Sequence, residues 1–130
     1  MSEKKRTILV VEDDKFLLKV LDDKLSREGY TVLVAHDGNE AMMKFKKGPL
    51  PDLVLLDLVM PFKSGFEVLE EMQASKKLKK IPVIVASNLG QDSDVEKAMD
   101  LGAVDYLIKS DFTISEVIAR MEKQLPPKKK

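Results

Sequence analysis

Acidic, hydroxyl and ammonium side chains directly follow short apolar runs at four places in this sequence. In chain order these residues are Glu12, Asp13, Asp14, Asp57, Ser87 and Lys109. Carboxylates that lie close together cannot all stay ionised unless a cation joins them, and their oxygens suit Mg²⁺ or Mn²⁺. A hard divalent cation beside a carboxylate, a hydroxyl and a lysine is a set of groups that handles phosphoryl transfer. Asp57 can serve in such a set as the nucleophile that becomes an aspartyl phosphate.

Each of these residues also has an ordinary structural interpretation. An acidic cluster after a strand often marks a helix N-terminus, which fits Asp14 better than Glu12 and Asp13 together. A lone aspartate such as Asp57 often forms a cap or turn, and Lys109 alone would be a solvated strand end. The co-occurrence of the groups at the ends of four runs favours the functional interpretation.

The elements that must position these groups are short apolar runs rich in Val, Ile and Leu. They are Thr7–Val11, Thr31–Ala35, Leu53–Leu56, Pro82–Ala86 and Val104–Ile108. Runs without polar alternation are typical of strands buried on both faces. Amphipathic stretches between these runs predict helices. One of these helices runs from about Asn39 to Lys46. The inward residues predicted for the others are Leu17, Leu21 and Leu25, Leu69 with Met72, Val95 with Met99, and the apolar residues from Ile114 to Leu125. The pattern predicts an α/β fold, a parallel sheet with helices on both faces and ligands beyond the carboxyl ends of its strands.

Length and composition limit the other possibilities. The 130 residues have room for one domain, which we expect to span 1–130 with a core of about 7–125 and flexible ends at 1–5 and 126–130. No cysteine is present, which excludes disulfides and thiolate metal sites, and the single histidine, His36, leaves little for histidine-based chemistry.

Charge and hydropathy bear on partners and location. The 22 basic residues balance the 22 acidic residues, which argues against nucleic acid as a partner. No apolar run approaches the roughly 20 residues that span a bilayer, so we expect no membrane contact. The start MSEKKR leads into a strand-like run rather than a signal peptide, so we expect a cytoplasmic protein.

The order of motifs resembles the receiver domain of bacterial two-component response regulators, the CheY-like family. The motifs are ILVVEDD with Glu12 and Asp13, LVLLDLVMP with Asp57, GFEVL with Gly65, VIVASN with Ser87, and LGAVDYLIK with Tyr106 and Lys109. The resemblance covers about Thr7 to Leu125. It implies a flavodoxin-like doubly wound (βα)5 sandwich whose strand order is 2-1-3-4-5.

The resemblance also implies how the site works. Asp57 would accept a phosphoryl group from a histidine kinase or a phosphotransfer protein. Mg²⁺ (or Mn²⁺) would be held by Asp13, Asp57 and the backbone carbonyl of Val59, with Glu12 acting mainly through water.

Three further residues would respond to the phosphoryl group. Lys109 would bind one of its oxygens, Ser87 would hydrogen-bond another, and Tyr106 would move toward the space that the Ser87 loop vacates. A downstream protein target would read the surface formed by about 92–125. Chemistry would be limited to the chain's own phosphorylation and dephosphorylation, so we do not classify it as an enzyme.

Two departures from the family pattern carry predictions. Ser110 follows Lys109 where many receivers have a proline after a cis bond, and a non-proline cis bond costs about 2.5–4 kcal/mol. We therefore predict a trans bond at 109–110. Val59 and Leu89 are apolar at positions that border the hydrolytic water, which predicts slow self-dephosphorylation.

Two alternatives stay open. A pseudo-receiver would use the same fold as a phosphorylation-independent protein-binding module, although the intact set of site residues argues against it. A Mg²⁺-dependent phosphohydrolase with an aspartate nucleophile would need a second carboxylate two residues after Asp57, where Val59 stands.

Two groups of residues lie outside these motifs. Lys76, Lys77, Lys79 and Lys80 are interpreted as a solvated loop before the fourth strand, with contact to an acidic partner as the alternative. The seven methionines are expected to be mostly core residues rather than a partner groove.

Overall fold

A five-stranded parallel sheet forms the centre of the structure, a computed structural model that describes residues 6–125. Its strands are β1 (Thr7–Val11), β2 (Thr31–Ala35), β3 (Leu53–Leu56), β4 (Val83–Ser87) and β5 (Asp105–Ile108). They lie in the order β2-β1-β3-β4-β5, which confirms the expected doubly wound topology. The ends predicted to be flexible, 1–5 and 126–130, lie outside the described residues.

The bounds of two strands differ from the prediction. β4 begins at Val83 rather than Pro82 and includes Ser87, and Pro82 has no N–H to donate to the ladder. β5 begins at Asp105, because Val104 lies in the bend that precedes the strand. The strands β1, β2 and β3 have the predicted bounds.

Helices cover both faces of the sheet. They are α1 (Lys15–Arg27), α2 (Gly38–Lys47), α3 (Gly65–Gln73), α4 (Asp92–Asp100) and α5 (Ile114–Gln124), with 3₁₀ turns at Leu78–Lys80 and Lys109–Asp111. One buried cluster joins α1 and α5 to the sheet through residues such as Leu21, Leu25 and Met121. The other joins α2, α3 and α4 to the opposite face through residues such as Phe45 and Leu69. The inner strands β1, β3 and β4 are therefore buried on both faces, as predicted. The prediction is wrong for β2 and β5, which are half-buried because they lie at the edges of the sheet.

Some residues on the helices do not face as predicted. The predicted inward pair on α4 is wrong, because Met99 is exposed and Val95 is only half-buried, whereas Ala98 between them is fully buried. On α1, Leu18 joins the predicted Leu21 and Leu25 in the core, and the predicted Leu17 is half-buried against the same cluster.

Most of the methionines that the structure describes are internal, as predicted. Met72 and Met121 are core residues, and Met42 and Met60 are half-buried against the core. The prediction is wrong for Met43 and Met99, which are 67% and 42% exposed. Within residues 6–125, none of the helices combines the length and the apolar character needed to cross a bilayer.

Candidate functional site

The carboxyl ends of β1 and β3 place two buried carboxylates side by side. Val11 lies opposite Leu56 in the ladder, so the next residues, Glu12 and Asp57, become neighbours. The Asp57 N–H donates to the Val11 carbonyl at 3.0 Å, which extends this pairing to the acceptor itself. Both side chains are buried.

Asp13 completes an acidic cluster at this edge. One carboxylate oxygen from each of Glu12, Asp13 and Asp57 lies within 4.8 Å of the others. Asp13 is exposed, so the cluster opens to solvent on its side. Asp14 has a different role, since its side chain accepts hydrogen bonds from the N–H groups of Phe16 and Leu17 and caps α1. The structural interpretation therefore holds for Asp14, and the other carboxylates form the cluster.

Lys109 reaches this cluster from the end of β5. Its Nζ lies 2.6 Å from Glu12 Oε1 and 3.4 Å from Asp57 Oδ2. Burial raises the pKa of the Glu12 carboxyl; the hydrogen bond from Lys109 opposes this rise and the charge of Asp57 adds to it. Burial acts to lower the pKa of Lys109, but the hydrogen bond to Glu12 and the two negative charges outweigh it and raise that pKa. The lysine is therefore a charged ammonium wedged between two carboxylates.

The start of α3 packs directly against the backbone of Asp57, the residue that follows β3. The Gly65 N–H donates to the Leu58 carbonyl at 3.0 Å. A Cβ at position 65 would lie 2.3 Å from the Asp57 carbonyl oxygen, so only glycine fits. The Val59 N–H approaches Asp57 Oδ1 at 3.4 Å, and the Val59 side chain points outward with 57% exposure.

Ser87 and Tyr106 both contact Leu89 in the loop between β4 and α4. Ser87 is fully buried at the end of β4, and its Oγ accepts a hydrogen bond from the Leu89 N–H at 3.3 Å. The Tyr106 hydroxyl donates to the Leu89 carbonyl oxygen at 2.5 Å. Burial raises the pKa of Tyr106, and the charge of Asp94 adds to the rise. The two hydroxyls thus hold one loop residue from both its N–H and its carbonyl.

The chain after Lys109 turns without a cis bond. The Lys109–Ser110 peptide bond is trans, which confirms the prediction. A 3₁₀ turn at Lys109–Asp111 leads to Thr113, which forms a capping box with Glu116 at the start of α5.

Two features of this edge of the sheet are not predicted from the sequence. The pairing of Lys109 with Glu12 was not predicted, because nothing in the spacing of the two residues ranks Glu12 above Asp57 as the lysine's partner. Exposed apolar side chains also occur in the segments that follow Asp14 and Asp57 in the chain, namely Phe16, Val59 and Phe62. Their proximity in sequence to Asp14 and Asp57 was the available signal for these exposed side chains.

Comparison with known proteins identifies related chains. A family model described as the response regulator receiver domain matches residues 8–122. The transcriptional regulatory protein CpxR of Klebsiella pneumoniae is 40% identical over 114 residues, which are 88% of this chain and 47% of that protein. The chain spans about half the length of the curated relatives it matches.

Two solved structures share the fold. The response regulator TrrA of Thermotoga maritima, in complex with Mg²⁺ and BeF, has a TM-score of 0.80 and 33% identity, covering 92% of this chain and 99% of that one. The Mn²⁺-bound response regulator Rcp1 has a TM-score of 0.80 and 29% identity, covering 94% of this chain and 99% of that one.

Proposed function

The chain belongs to the response regulator receiver domain family of two-component signalling, and on that premise we propose that Asp57 accepts a phosphoryl group. The donor is a phosphohistidine on a histidine kinase or a phosphotransfer protein. The observation that carries this proposal is the buried Asp57 carboxylate, which shares one edge of the sheet with Glu12, Asp13 and the Lys109 ammonium. The single receiver domain proposed for this chain spans 1–130.

The acidic cluster fits a hard divalent cation. Three carboxylates within 4.8 Å of one another repel each other unless a cation joins them, and their oxygens suit Mg²⁺ or Mn²⁺. We assign the metal to Asp13, Asp57 and the Val59 carbonyl, with Glu12 acting through water, since Glu12 Oε1 is already occupied by Lys109 at 2.6 Å. A bound metal would supply positive charge next to the oxygens of the transferring group.

The transfer itself uses groups that the chain already holds in position. An Asp57 carboxylate oxygen forms a bond to phosphorus, the P–N bond of the phosphohistidine breaks, and its electron pair stays on the imidazole, which takes up a proton. Lys109 lies 3.4 Å from Asp57 Oδ2, close enough to contact an oxygen of the phosphoryl group. Ser87 Oγ accepts a hydrogen bond from the Leu89 N–H, and its own hydroxyl proton would donate to another oxygen of the phosphoryl group.

The same contacts connect the site to a reading surface. If Ser87 moves toward the phosphoryl group, Leu89 follows, because its N–H is bonded to Ser87 Oγ. The Tyr106 hydroxyl donates a hydrogen bond to the Leu89 carbonyl, so the Tyr106 side chain moves when the loop moves. We propose that a downstream protein reads this change on the surface of about 92–125.

Two limits on activity and partners belong to the same proposal. The chain's chemistry is confined to its own phosphorylation and dephosphorylation, and it does not turn over a separate substrate. Nucleic acid is not among the partners proposed for this chain, although CpxR, of which it covers about half, is a transcriptional regulatory protein.

Intact-mass analysis tests the proposal directly. The protein is incubated with Mg²⁺ and a small acyl phosphate, and we expect a gain of one phosphoryl group that is lost in Asp57→Asn and retained in Asp14→Asn. The second variant is a matched control, because Asp14 caps α1 and asparagine caps a helix equally well. No gain at saturating donor would contradict the proposal and favour the phosphorylation-independent module. Steady phosphate release from unrelated monoesters would favour the phosphohydrolase.

A further inference from the structure

A groove of about 470 Å³ lies between α2 on one side and the end of α3 with the 3₁₀ turn Leu78–Lys80 on the other. Each of these helices runs back from the carboxyl edge of the sheet toward the start of the next strand. The residues near the ends of α2 and α3 therefore lie at the edge opposite Asp57. We call this feature the α2–α3 groove.

Apolar side chains form the floor and the mouth of the groove. Phe45 and Leu78 line it and are buried, and Met42 is half-buried beside them. Met43 and Leu50 also line it but are exposed, at 67% and 38%. Flexible methionine side chains adapt readily to a partner surface, so an exposed methionine beside a recessed apolar floor suits partner binding.

Lysines line this apolar groove and occur in the segments next to it. Lys46 and Lys77 line it directly, and further lysines on the last turn of α2 and around the 3₁₀ turn are Lys44, Lys47, Lys76, Lys79 and Lys80. Glu71 is the acidic residue among the lining residues, and it is paired with Lys63. The charge that the groove presents to a partner is therefore positive, although the chain as a whole has no net charge.

We propose that the α2–α3 groove binds an acidic amphipathic helix of a partner protein. Its volume falls within the roughly 300–1,000 Å³ of ligand sites. The lining residues of α2 run from Asn39 to Lys46, about 10 Å along that helix. That length matches two turns of a partner helix, whose apolar residues at i, i+3 or i+4, and i+7 enter the groove. Carboxylates on the flanks of the partner helix meet Lys46 and Lys77.

Shape and charge distinguish this occupant from two others. A flat membrane surface would contact the exposed Met43 and Leu50 but not the recessed Phe45 and Leu78, whereas a helix that enters the groove contacts both pairs. A two-fold dimer through this face would bring two basic grooves together, and like charges repel. The residues that line the groove lie outside the surface of about 92–125. The partner helix is therefore a separate contact, and we expect its binding not to depend on phosphorylation of Asp57.

Fluorescence anisotropy with a designed peptide tests the groove. The labelled peptide has about 15 residues, near the length at which an isolated helix becomes stable, with leucines on one face and glutamates elsewhere. We expect a micromolar Kd that rises as salt is added, because salt screens the attraction between the lysines and the glutamates. Met43→Glu should weaken binding by at least about tenfold, equivalent to about 1.4 kcal/mol, and Lys77→Glu by about three- to fivefold.

Matched variants control for charge and for folding. Met99→Glu changes another exposed methionine on a helix, and Lys19→Glu changes another exposed lysine, so both should bind the peptide within about twofold of wild type. Urea unfolding of Met43→Glu, together with the neutral Met43→Gln, separates loss of binding from loss of folding. Asp57→Asn should bind like wild type, so failure of the groove and failure of the phosphoacceptor site are distinguishable.

Five results would overturn the proposal. The first is a lack of peptide binding by the wild-type protein at millimolar concentration, and the second is binding unaffected by Met43→Glu. The third is equally tight binding of a peptide of the same composition whose leucines do not share one face. Preferential, Met43-dependent binding to phosphatidylserine vesicles would assign the groove to a membrane. Self-association in sedimentation equilibrium that Met43→Glu abolishes would assign it to a second copy of the chain.

Discussion

Lys109 lies nearer to the buried Glu12 carboxylate, at 2.6 Å, than to the Asp57 carboxylate, at 3.4 Å. The ammonium therefore stabilises a buried neighbour as well as standing next to the proposed phosphoacceptor. Removing one partner of a buried ion pair is costly because the other charge stays buried without compensation. Stability and phosphorylation thus depend on the same side chain at this site.

Replacing that lysine should destabilise the protein in a pH-dependent way. In Lys109→Met, burial and the charge of Asp57 still raise the pKa of Glu12, and the largest opposing contribution, the hydrogen bond from Lys109, is lost. The folded variant therefore holds a proton on Glu12 above the ordinary pKa of 4.5, where the unfolded chain releases it, so stability falls as pH rises from there. In urea unfolding with EDTA, we expect a deficit of about 3 kcal/mol at about pH 8. At about pH 5 the deficit should be smaller, because the proton that Glu12 retains in the folded variant removes the uncompensated buried charge.

The double variant Glu12→Gln with Lys109→Met is the control for this effect. It removes both charges of the pair, so most of the extra pH dependence should disappear. A deficit in Lys109→Met that is equal at both pH values would contradict the argument and indicate lost packing of the lysine stem.

Mg²⁺ should stabilise the protein through Asp13. A ligand that binds only the folded state adds about 2.7 kcal/mol at a hundred times its Kd, and relief of carboxylate repulsion is the physical source of the affinity. Asp13→Asn should lose most of the Mg²⁺-dependent rise in Tm, whereas Asp14→Asn should keep it, because Asp14 caps α1. The measurement is a thermal melt with Mg²⁺ and with EDTA. Equal loss in both variants would show that the effect is not specific to the cluster of Glu12, Asp13 and Asp57.

Gly65→Ala should displace the backbone of Asp57 and so disturb the site. The new Cβ would meet the Asp57 carbonyl oxygen at 2.3 Å and the Leu58 Cα at 2.8 Å, and neither backbone atom can move without shifting the acceptor. We expect a loss of about 1–3 kcal/mol in urea unfolding and slower phosphorylation by an acyl phosphate. Gly90→Ala is the matched control, since its Cβ would meet only the flexible end of Ile108 at 3.3 Å. Comparable losses in the two variants would contradict this explanation.

Replacing Phe62 by glycine should destabilise the protein less than replacing it by alanine. Its φ of 69° lies in the left-handed region, which costs a residue with a Cβ about 1–2 kcal/mol. The aromatic ring is 85% exposed, so its removal costs little packing. Phe62→Gly should therefore be more stable than Phe62→Ala by up to about 1 kcal/mol, after the larger chain entropy of glycine is subtracted. Urea unfolding of both variants checks this order, and alanine being the more stable would contradict the strain.

The sequence predicted the sheet and the composition of the site because both depend on local patterns. Apolar runs without alternation indicated the buried strands, and the topology of a parallel sheet then brought Asp13, Asp57 and Lys109 to one edge. Helix faces were harder. On α4 the buried residue is Ala98, whose small side chain allows close packing, while the larger Met99 is exposed. Hydrophobicity alone ranks these two residues in the wrong order.

Contacts between distant elements could not be predicted from the sequence. Whether Lys109 contacts Glu12 or Asp57 first depends on side-chain geometry across three strands, at a scale of less than 1 Å. The size of the α2–α3 groove depends on the distance between the two helices. No local pattern in the sequence distinguishes the exposed Met43 from the buried Met72.

The lifetime of the phosphorylated protein should depend on Val59. Its side chain is 57% exposed next to Asp57 and apolar, so it cannot orient a water molecule for attack on phosphorus. We expect slow loss of the phosphoryl group from wild-type protein after the donor is removed. Val59→Asn should accelerate this loss on the order of tenfold, because its amide can hydrogen-bond the water while the backbone carbonyl assigned to the metal is retained. Val104→Asn, which changes another exposed valine, should leave the rate unchanged. Intact-mass time courses measure all three rates, and rapid decay in the wild type would show that water is positioned by some group other than residue 59.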